Sequence, residues 1–208
     1  MKRVLIVDDH AILRQGLKQV LAEMPGAVEA CEAETGQEAL ARLREGEWTM
    51  VVLDISLPDR NGLDVLKQIK ALYPKLPVLI LSMHSEAEYA VRALRAGAAG
   101  YLTKRSAPTE LAEAIARVSQ GRKYVTPAVA EQLVDDAGQD GGRTIEILSD
   151  REFQVLCMIA SGLRAKDIAA QLGVSAKTVS THRTNILTKL RLKTTGELIR
   201  YAIARGLG

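Results

Sequence analysis

The run Met50-Val51-Val52-Leu53-Asp54 constrains the fold more than any other stretch of the chain. Apolar residues without alternation describe a strand buried on both faces, as in a parallel sheet covered by helices on either side. The run ends on a carboxylate and passes through Ile55-Ser56 into Leu57-Pro58-Asp59-Arg60-Asn61-Gly62, a loop by composition. Asp54 is therefore expected at the carboxyl end of a strand, the edge at which open α/β sheets bind ligands.

Five apolar runs repeat this theme: Val4–Val7, Val28–Ala33, Val51–Leu53, Val78–Leu81 and Gly100–Leu102. Amphipathic helical patterns fall between and after them, near 11–23, 36–45, 62–72, 86–96 and 108–120. Strands alternating with helices predict an α/β domain with a five-stranded doubly wound parallel sheet over residues 1–122. Parallel strands carry their ends to one edge. That edge would hold Asp8 and Asp9 after the first strand, Asp54 after the third, Ser82 after the fourth, and Tyr101 and Lys104 on and after the fifth. Three crowded carboxylates raise one another's pKa unless a cation is present, and a hard divalent ion such as Mg²⁺ suits oxygen ligands. Lys104 offers a point charge to a phosphoryl group and Ser82 a hydroxyl donor. Each acid alone reads more readily as a solvated loop residue; the set argues for a site.

The motifs Val-Leu-Ile-Val-Asp8-Asp9-His, Val-Val-Leu-Asp54-Ile-Ser-Leu-Pro58, Leu-Ser82 and Gly100-Tyr101-Leu-Thr-Lys104 resemble the receiver domain of two-component response regulators, over essentially all of residues 1–121. The resemblance implies a flavodoxin-like receiver fold in which Asp54 is the phosphoacceptor for a sensor histidine kinase. It also implies Mg²⁺ held by Asp8, Asp9, Asp54 and the backbone carbonyl of Ser56. Ser82 would move to a phosphoryl oxygen and Tyr101 turn inward, shifting an inactive-to-active equilibrium. Tyr101 also reads as a half-buried packing residue.

Residues 123–144 break the rhythm and are expected to form a linker. Thr126-Pro127 can start a short helix through Leu133, and the segment then turns acidic and Gly-rich. Residues 145–208 hold 10 Lys or Arg against 5 Asp or Glu, an excess that suits a polyanionic partner although it also fits a plain solvated surface. Ser149-Asp150-Arg151-Glu152 has the capping-box pattern and starts a helix to about Ser161. A second helix follows over Ala165–Gln171. Gly173-Val174 makes a turn, Ser175 caps a third helix to about Leu190, and Thr194-Thr195-Gly196-Glu197 offers a cap for a fourth. This predicts a smaller all-α, four-helix domain. On the third helix Val179, Ile186 and Leu190 share one face, and Lys177, Ser180, Thr181, Thr184 and Thr188 the opposite one. Arg183, Lys189, Arg191 and Lys193 flank it. A polar stripe flanked by cations suits a major-groove recognition helix, and the pattern alone equally admits a four-helix interaction module.

Leu148-Ser-Asp-Arg-Glu152, Ile168-Ala-Ala-Gln-Leu172, Val174-Ser-Ala-Lys-Thr-Val179 and His182-Arg-Thr-Asn-Ile186-Leu-Thr-Lys-Leu190 look like the LuxR-type helix-turn-helix, over residues 146–208. This implies binding of double-stranded DNA through Lys177, Thr178, Ser180, Thr181, Arg183, Thr184 and Lys189, with the fourth helix a dimer contact. Many members carry Lys where this chain has Ser180, so their operator sequences do not transfer. His182 is expected to pack within the helices.

Together the two resemblances imply a transcriptional response regulator of the NarL/FixJ class, a homodimer on promoter half-sites when phosphorylated. Beyond its own phosphotransfer and autodephosphorylation, no enzymatic turnover is expected. The first strand is too short for a signal-peptide core and no apolar run could span a membrane, so a cytoplasmic location is expected. Cys31 and Cys157 lack CxxC spacing or a nearby His and read as core residues. The rival readings are an orphan regulator, a small-molecule phosphotransfer enzyme and a protein adaptor. The complete acidic set argues against the first, and the short predicted loops argue against the second.

Overall fold

The five apolar runs form one parallel sheet, with strands β1 (Lys2–Val7), β2 (Val28–Ala33), β3 (Met50–Asp54), β4 (Val78–Ser82) and β5 (Gly100–Thr103) in the order β2-β1-β3-β4-β5. A computed structural model describes residues 2–26, 28–83, 86–106, 108–127, 129–131, 147–205 and 207. The register pairs Val7 with Leu53, Asp54 with Leu81, and Ser82 with Thr103. Neighbouring strands therefore end within a residue or so of one another, and their terminal residues gather at the same edge.

Helices α1 (Ala11–Glu23), α2 (Gly36–Arg42), α3 (Gly62–Leu72), α4 (Glu86–Arg95) and α5 (Pro108–Val118) follow the strands in turn. The expected second helix, 36–45, tightens into a 3₁₀ turn at Leu43–Glu45. Residues alternate between the two sheet faces. Val4, Ile6, Met50, Val52, Leu79, Leu81 and Leu102 pack with Leu17 and Leu21 of α1 and Ala114, Ile115 and Val118 of α5. Leu5, Val51, Leu53 and Ile80, which alternate with them, are no more exposed, so water reaches neither face of the central strands.

The chain divides into two units, Met1–Gln132 and Leu133–Gly208. Part of the segment expected as linker belongs to the first. Tyr124 makes a parallel bridge to Gly100, its backbone N–H donates to Ala99 O at 2.9 Å, and its side chain joins the core. Helical hydrogen bonding begins where Thr126 O accepts from Ala130 N. The continuation of that helix to Leu133 and the acidic, Gly-rich run 132–144 lie outside the described residues, as do 145–146.

In the second unit, α6 (Asp150–Ala160), α7 (Ala165–Gln171), α8 (Ala176–Leu190) and α9 (Thr195–Ile203) enclose Phe153, Leu156, Ile168, Val179, Ile186 and Leu198. Ser149, Ser175 and Thr194 cap α6, α8 and α9 as their sequence positions predict. The capping box is complete: Glu152 N donates to Ser149 Oγ at 3.3 Å, and Glu152 Oε2 accepts from Ser149 N at 2.8 Å. Lys189 Nζ at the far end of α8 also donates to Glu152 Oε2, at 2.6 Å, which joins the start of α6 to the end of α8.

Burial works against the Glu152 carboxylate, but Lys189 and the Ser149 donors outweigh it and hold its pKa below the usual range. A depressed folded pKa adds stability that is complete above the unfolded value, about 4.3, and lost as pH falls through the folded one. Glu152→Gln should therefore lower the unfolding midpoint at neutral pH and narrow its gap to wild type as pH falls below about 4. A gap constant from pH 7 to about 3 in thermal melts would remove the charge from the explanation.

Candidate functional site: an acidic strand edge and an exposed recognition-type helix

The first site is built by strand ends. Asp8 follows β1 and Asp54 ends β3, and each is 1% exposed; Lys104 follows β5, its side chain 6% exposed. Lys104 Nζ lies 2.6 Å from Asp54 Oδ2 and 2.7 Å from Asp8 Oδ2. The other Asp54 oxygen, Oδ1, accepts from Ser56 N at 3.1 Å. Asp9 is exposed and its carboxylate meets His10 Nδ1 at 2.7 Å. Ligand atoms of Asp8, Asp9, His10 and Asp54 all lie within 4.8 Å of one another.

Burial pushes the Asp54 carboxyl above the usual carboxylate range; the Lys104 ammonium pulls against this and the Asp8 charge adds to it. Burial likewise works against the Lys104 ammonium, yet its two carboxylate partners hold its pKa above the ordinary lysine value. One ammonium thus faces two buried carboxylates, with the Asp9 carboxylate and His10 close by. A further cation set against them would relieve the repulsion, and the donor set is the hard oxygen kind that fits Mg²⁺.

Ser82 ends β4 and is fully buried, and its carbonyl accepts from Lys104 N at 2.7 Å, which ties the end of β5 to that of β4. Tyr101 lies within β5, paired with Ile80, and is also fully buried rather than half-buried. The loop after β3 carries constraints that composition did not reveal. Asp59 Oδ1 and Oδ2 accept from Gly36 N and Gln37 N at 2.9 Å each, capping α2 from across the edge. Asn61 Oδ1 caps α3 through Leu63 N at 2.8 Å. A Cβ on Gly62 would stand 2.1 Å from the Asp54 carbonyl oxygen and 2.7 Å from Ile55 Cα, so this loop closes behind Asp54 only because residue 62 has no side chain. Gly62→Ala must displace backbone and should cost about 1–3 kcal/mol, read as a lowered denaturation midpoint together with slower phosphate uptake at Asp54. Unchanged stability would show that the loop yields freely.

Arg14 gives no signal in the sequence, where it is a lone basic residue one turn into an amphipathic helix. It is 6% exposed and donates from Nη1 to Asp8 O at 2.8 Å, while Glu32 and Glu34 hold the rest of the guanidinium at 2.8 and 2.6 Å. His10 likewise joins the acidic cluster only in the fold.

The second site is α8. Gly173, in left-handed backbone at φ 61, turns the chain between α7 and α8. Val179, Ile186 and Leu190 face inward, while Lys177, Thr181, Thr184, Asn185 and Thr188 are exposed. Asn185, not among the expected contacts, borders the exposed face and has the amide that reads adenine. The threonine hydroxyls turn back onto the helix: Thr181 Oγ1 donates to Lys177 O at 3.1 Å, Thr184 Oγ1 to Ser180 O at 3.1 Å and Thr188 Oγ1 to Thr184 O at 3.0 Å. The structure places other expected contacts to the side. Thr178 is half-buried, its hydroxyl 2.9 Å from Ser175 Oγ. Ser180 and Arg183 line a cleft of about 240 Å³ with Ile159, Ile168 and Thr195. Lys189 is held by Glu152 on the flank. His182 is half-buried, and burial, with the Arg151 guanidinium, holds its imidazole below the usual range.

Comparison with known proteins covers both sites. Residues 4–116 match the family described as response regulator receiver domain, and residues 146–202 the one described as bacterial regulatory proteins, luxR family. Response regulator GacA of Pseudomonas protegens is 35% identical over 208 residues, covering 100% of this chain and 98% of its own length. Transcriptional activator protein ExaE of Pseudomonas putida is 38% identical, covering 98% and 97%. Among solved structures, RcsB from Salmonella enterica serovar Typhimurium, bound to a promoter in the presence of the phosphomimetic BeF₃⁻, superposes with a TM-score of 0.61 at 27% identity, covering 96% and 97%.

Proposed function

Because the chain belongs to the two-component response regulators that join a receiver domain to a LuxR-type helix-turn-helix domain, we propose that phosphorylation of Asp54 controls its binding to DNA. The observation that carries this reading is a carboxylate 1% exposed at the sheet edge, with Oδ2 on Lys104 and Oδ1 on Ser56 N. The carboxylate attacks the phosphorus of a phosphohistidine on a sensor histidine kinase. A P–O bond forms, the P–N bond breaks, and the imidazole nitrogen keeps the electron pair and takes up a proton. The product is an acyl phosphate. Lys104 offsets charge on the transferring oxygens. Asp8, Asp9, Asp54 and the Ser56 carbonyl are the groups that would hold Mg²⁺, which when bound neutralises phosphoryl charge.

Ser82 and Tyr101 are the switch residues of this reading: the hydroxyl takes a phosphoryl oxygen, and the inward Tyr101 accompanies the active arrangement of β4 and β5. The output is carried by α8 in the major groove. Lys177, Thr181 and Thr184 face bases, while Arg183, Lys189 and the half-buried Thr178 and Ser180 meet backbone or orient the helix. A homodimer would set two such helices on half-sites about 10 bp apart, or a multiple of that. The chain then acts as a phosphoacceptor rather than a turnover enzyme, its receiver domain reaching beyond residue 122 to include Tyr124 and its DNA-binding domain following at 145–208. The same reading places it in the cytoplasm with its kinase and promoter; no helix among the described residues is long and apolar enough to cross a membrane.

The test is selection of duplexes from a random pool by the full chain, with and without acetyl phosphate and Mg²⁺. A paired-half-site sequence should emerge, bound more tightly after acetyl phosphate only where Asp54 is present and more weakly as salt rises. Binding indifferent to both acetyl phosphate and Asp54 would reduce the protein to an unswitched DNA binder.

A further inference from the structure

Thr181, Thr184 and Thr188 succeed one another at spacings of three and four residues, so they form one row on the exposed face of α8, beginning beside Lys177. A hydroxyl has a single proton. In each of the three that proton is given to the carbonyl one turn earlier, at 3.0 to 3.1 Å. Each side chain therefore turns Oγ1 toward the helix and leaves outward the Cγ2 methyl, with lone pairs but no donor. The row spans roughly 10 Å, enough to meet about three successive base pairs.

The major-groove edges of G·C and A·T pairs respond differently to such a surface. Guanine shows two acceptors, N7 and O6, which lone pairs repel and a methyl cannot satisfy. Thymine shows its C5 methyl, which buries against another methyl, and its partner adenine shows an N6 donor that a lone pair can accept. We infer that the threonine row reads A·T pairs, chiefly by methyl-to-methyl contact with thymine, and that Lys177 and Asn185 supply the polar readout at its edges. This rests on the DNA-binding reading of the second unit and specifies the chemistry it recognises. Ser180, beside the row, adds no charge that would draw it toward guanine.

The test replaces the thymines of a selected half-site one at a time by deoxyuridine, which removes the C5 methyl and nothing else. Wild-type binding should fall about three- to tenfold at one or more positions, the size expected for a buried methyl group. The triple change Thr181→Val, Thr184→Val, Thr188→Val deletes the hydroxyls and keeps the methyls, and should retain the preference for thymine over uracil. The triple change to Ser keeps the hydroxyls and deletes the methyls, and should bind both DNAs alike. Should a triple variant unfold, Thr181→Val and Thr181→Ser carry the same pair of outcomes. Equal wild-type affinity for thymine and uracil DNA at every position overturns the inference, as does a preference kept by Ser and lost by Val. A chain that selects no duplex at all overturns the DNA-binding reading itself, so the two failures are distinguishable.

Discussion

Asp54→Asn is expected to abolish phosphate incorporation from acetyl phosphate or a phosphorylated kinase, taking a stoichiometric acid-stable, base-labile label to background. The reason is local chemistry. An amide cannot serve as the nucleophile for an acyl phosphate, and no other carboxylate occupies its place. Asp8 is equally buried, but it lies on a different strand end, with its backbone carbonyl pinned by Arg14 at 2.8 Å. Asp9 is exposed beside His10. The fold should survive, since Asn matches the shape and Lys104 keeps Asp8 as a partner at 2.7 Å. Burial already opposes the Asp54 charge, so the substitution removes a carboxylate that the folded state disfavours. An equal or slightly higher melting temperature with no label is the expected pair of readings. Label retained at a second residue would move the phosphoacceptor elsewhere in the cluster.

Phe153→Ala should unfold the second unit while sparing the first. Phe153 is the sole phenylalanine of the chain and is fully buried in α6, the helix whose neighbours include both α8 and α9. Truncating a buried Phe costs about 3–5 kcal/mol through lost transfer energy and the cavity left behind. A helical unit of this size has a total stability of the same order. DNA binding should be lost and the melting curve should split, with the second unit unfolding first. Phosphate uptake at Asp54 should persist, because Asp8, Asp54, Ser82 and Lys104 all belong to the first unit. Phe153→Leu, nearer in volume, should cost less than about 1.5 kcal/mol and retain binding. Full stability of Phe153→Ala would mean that α6 closes over the gap.

Much of this was legible along the chain because it depends on local periodicity. Continuous apolar runs at Val4, Val51 and Val78 are short and rich in β-branched residues, which reads as strands buried on both faces, and parallel pairing then carries Asp8, Asp54, Ser82 and Lys104 to one edge. Helix caps are equally local. Ser149 with Glu152, and Ser175 and Thr194, lie within three residues of the amides they bond, so their roles could be read directly.

What the sequence by itself determined is therefore the order of elements, the strand ends that meet, and the inward face of α8. Only the tertiary structure decided which long side chains are committed to one another. Lys189 looked like a free cation for phosphate until α6 brought Glu152, 37 residues away, to its ammonium. Arg14 gained Asp8, Glu32 and Glu34 only once β1 and β2 paired. Tyr124, counted with the linker, became core because it bridges to Gly100 at the edge of the sheet. The direction of the threonine hydroxyls on α8 is a choice among rotamers that composition does not express. Backbone pattern is set by neighbours in sequence, whereas the partner of a flexible charged or hydroxyl group is set by whatever the fold places within about 3 Å of it.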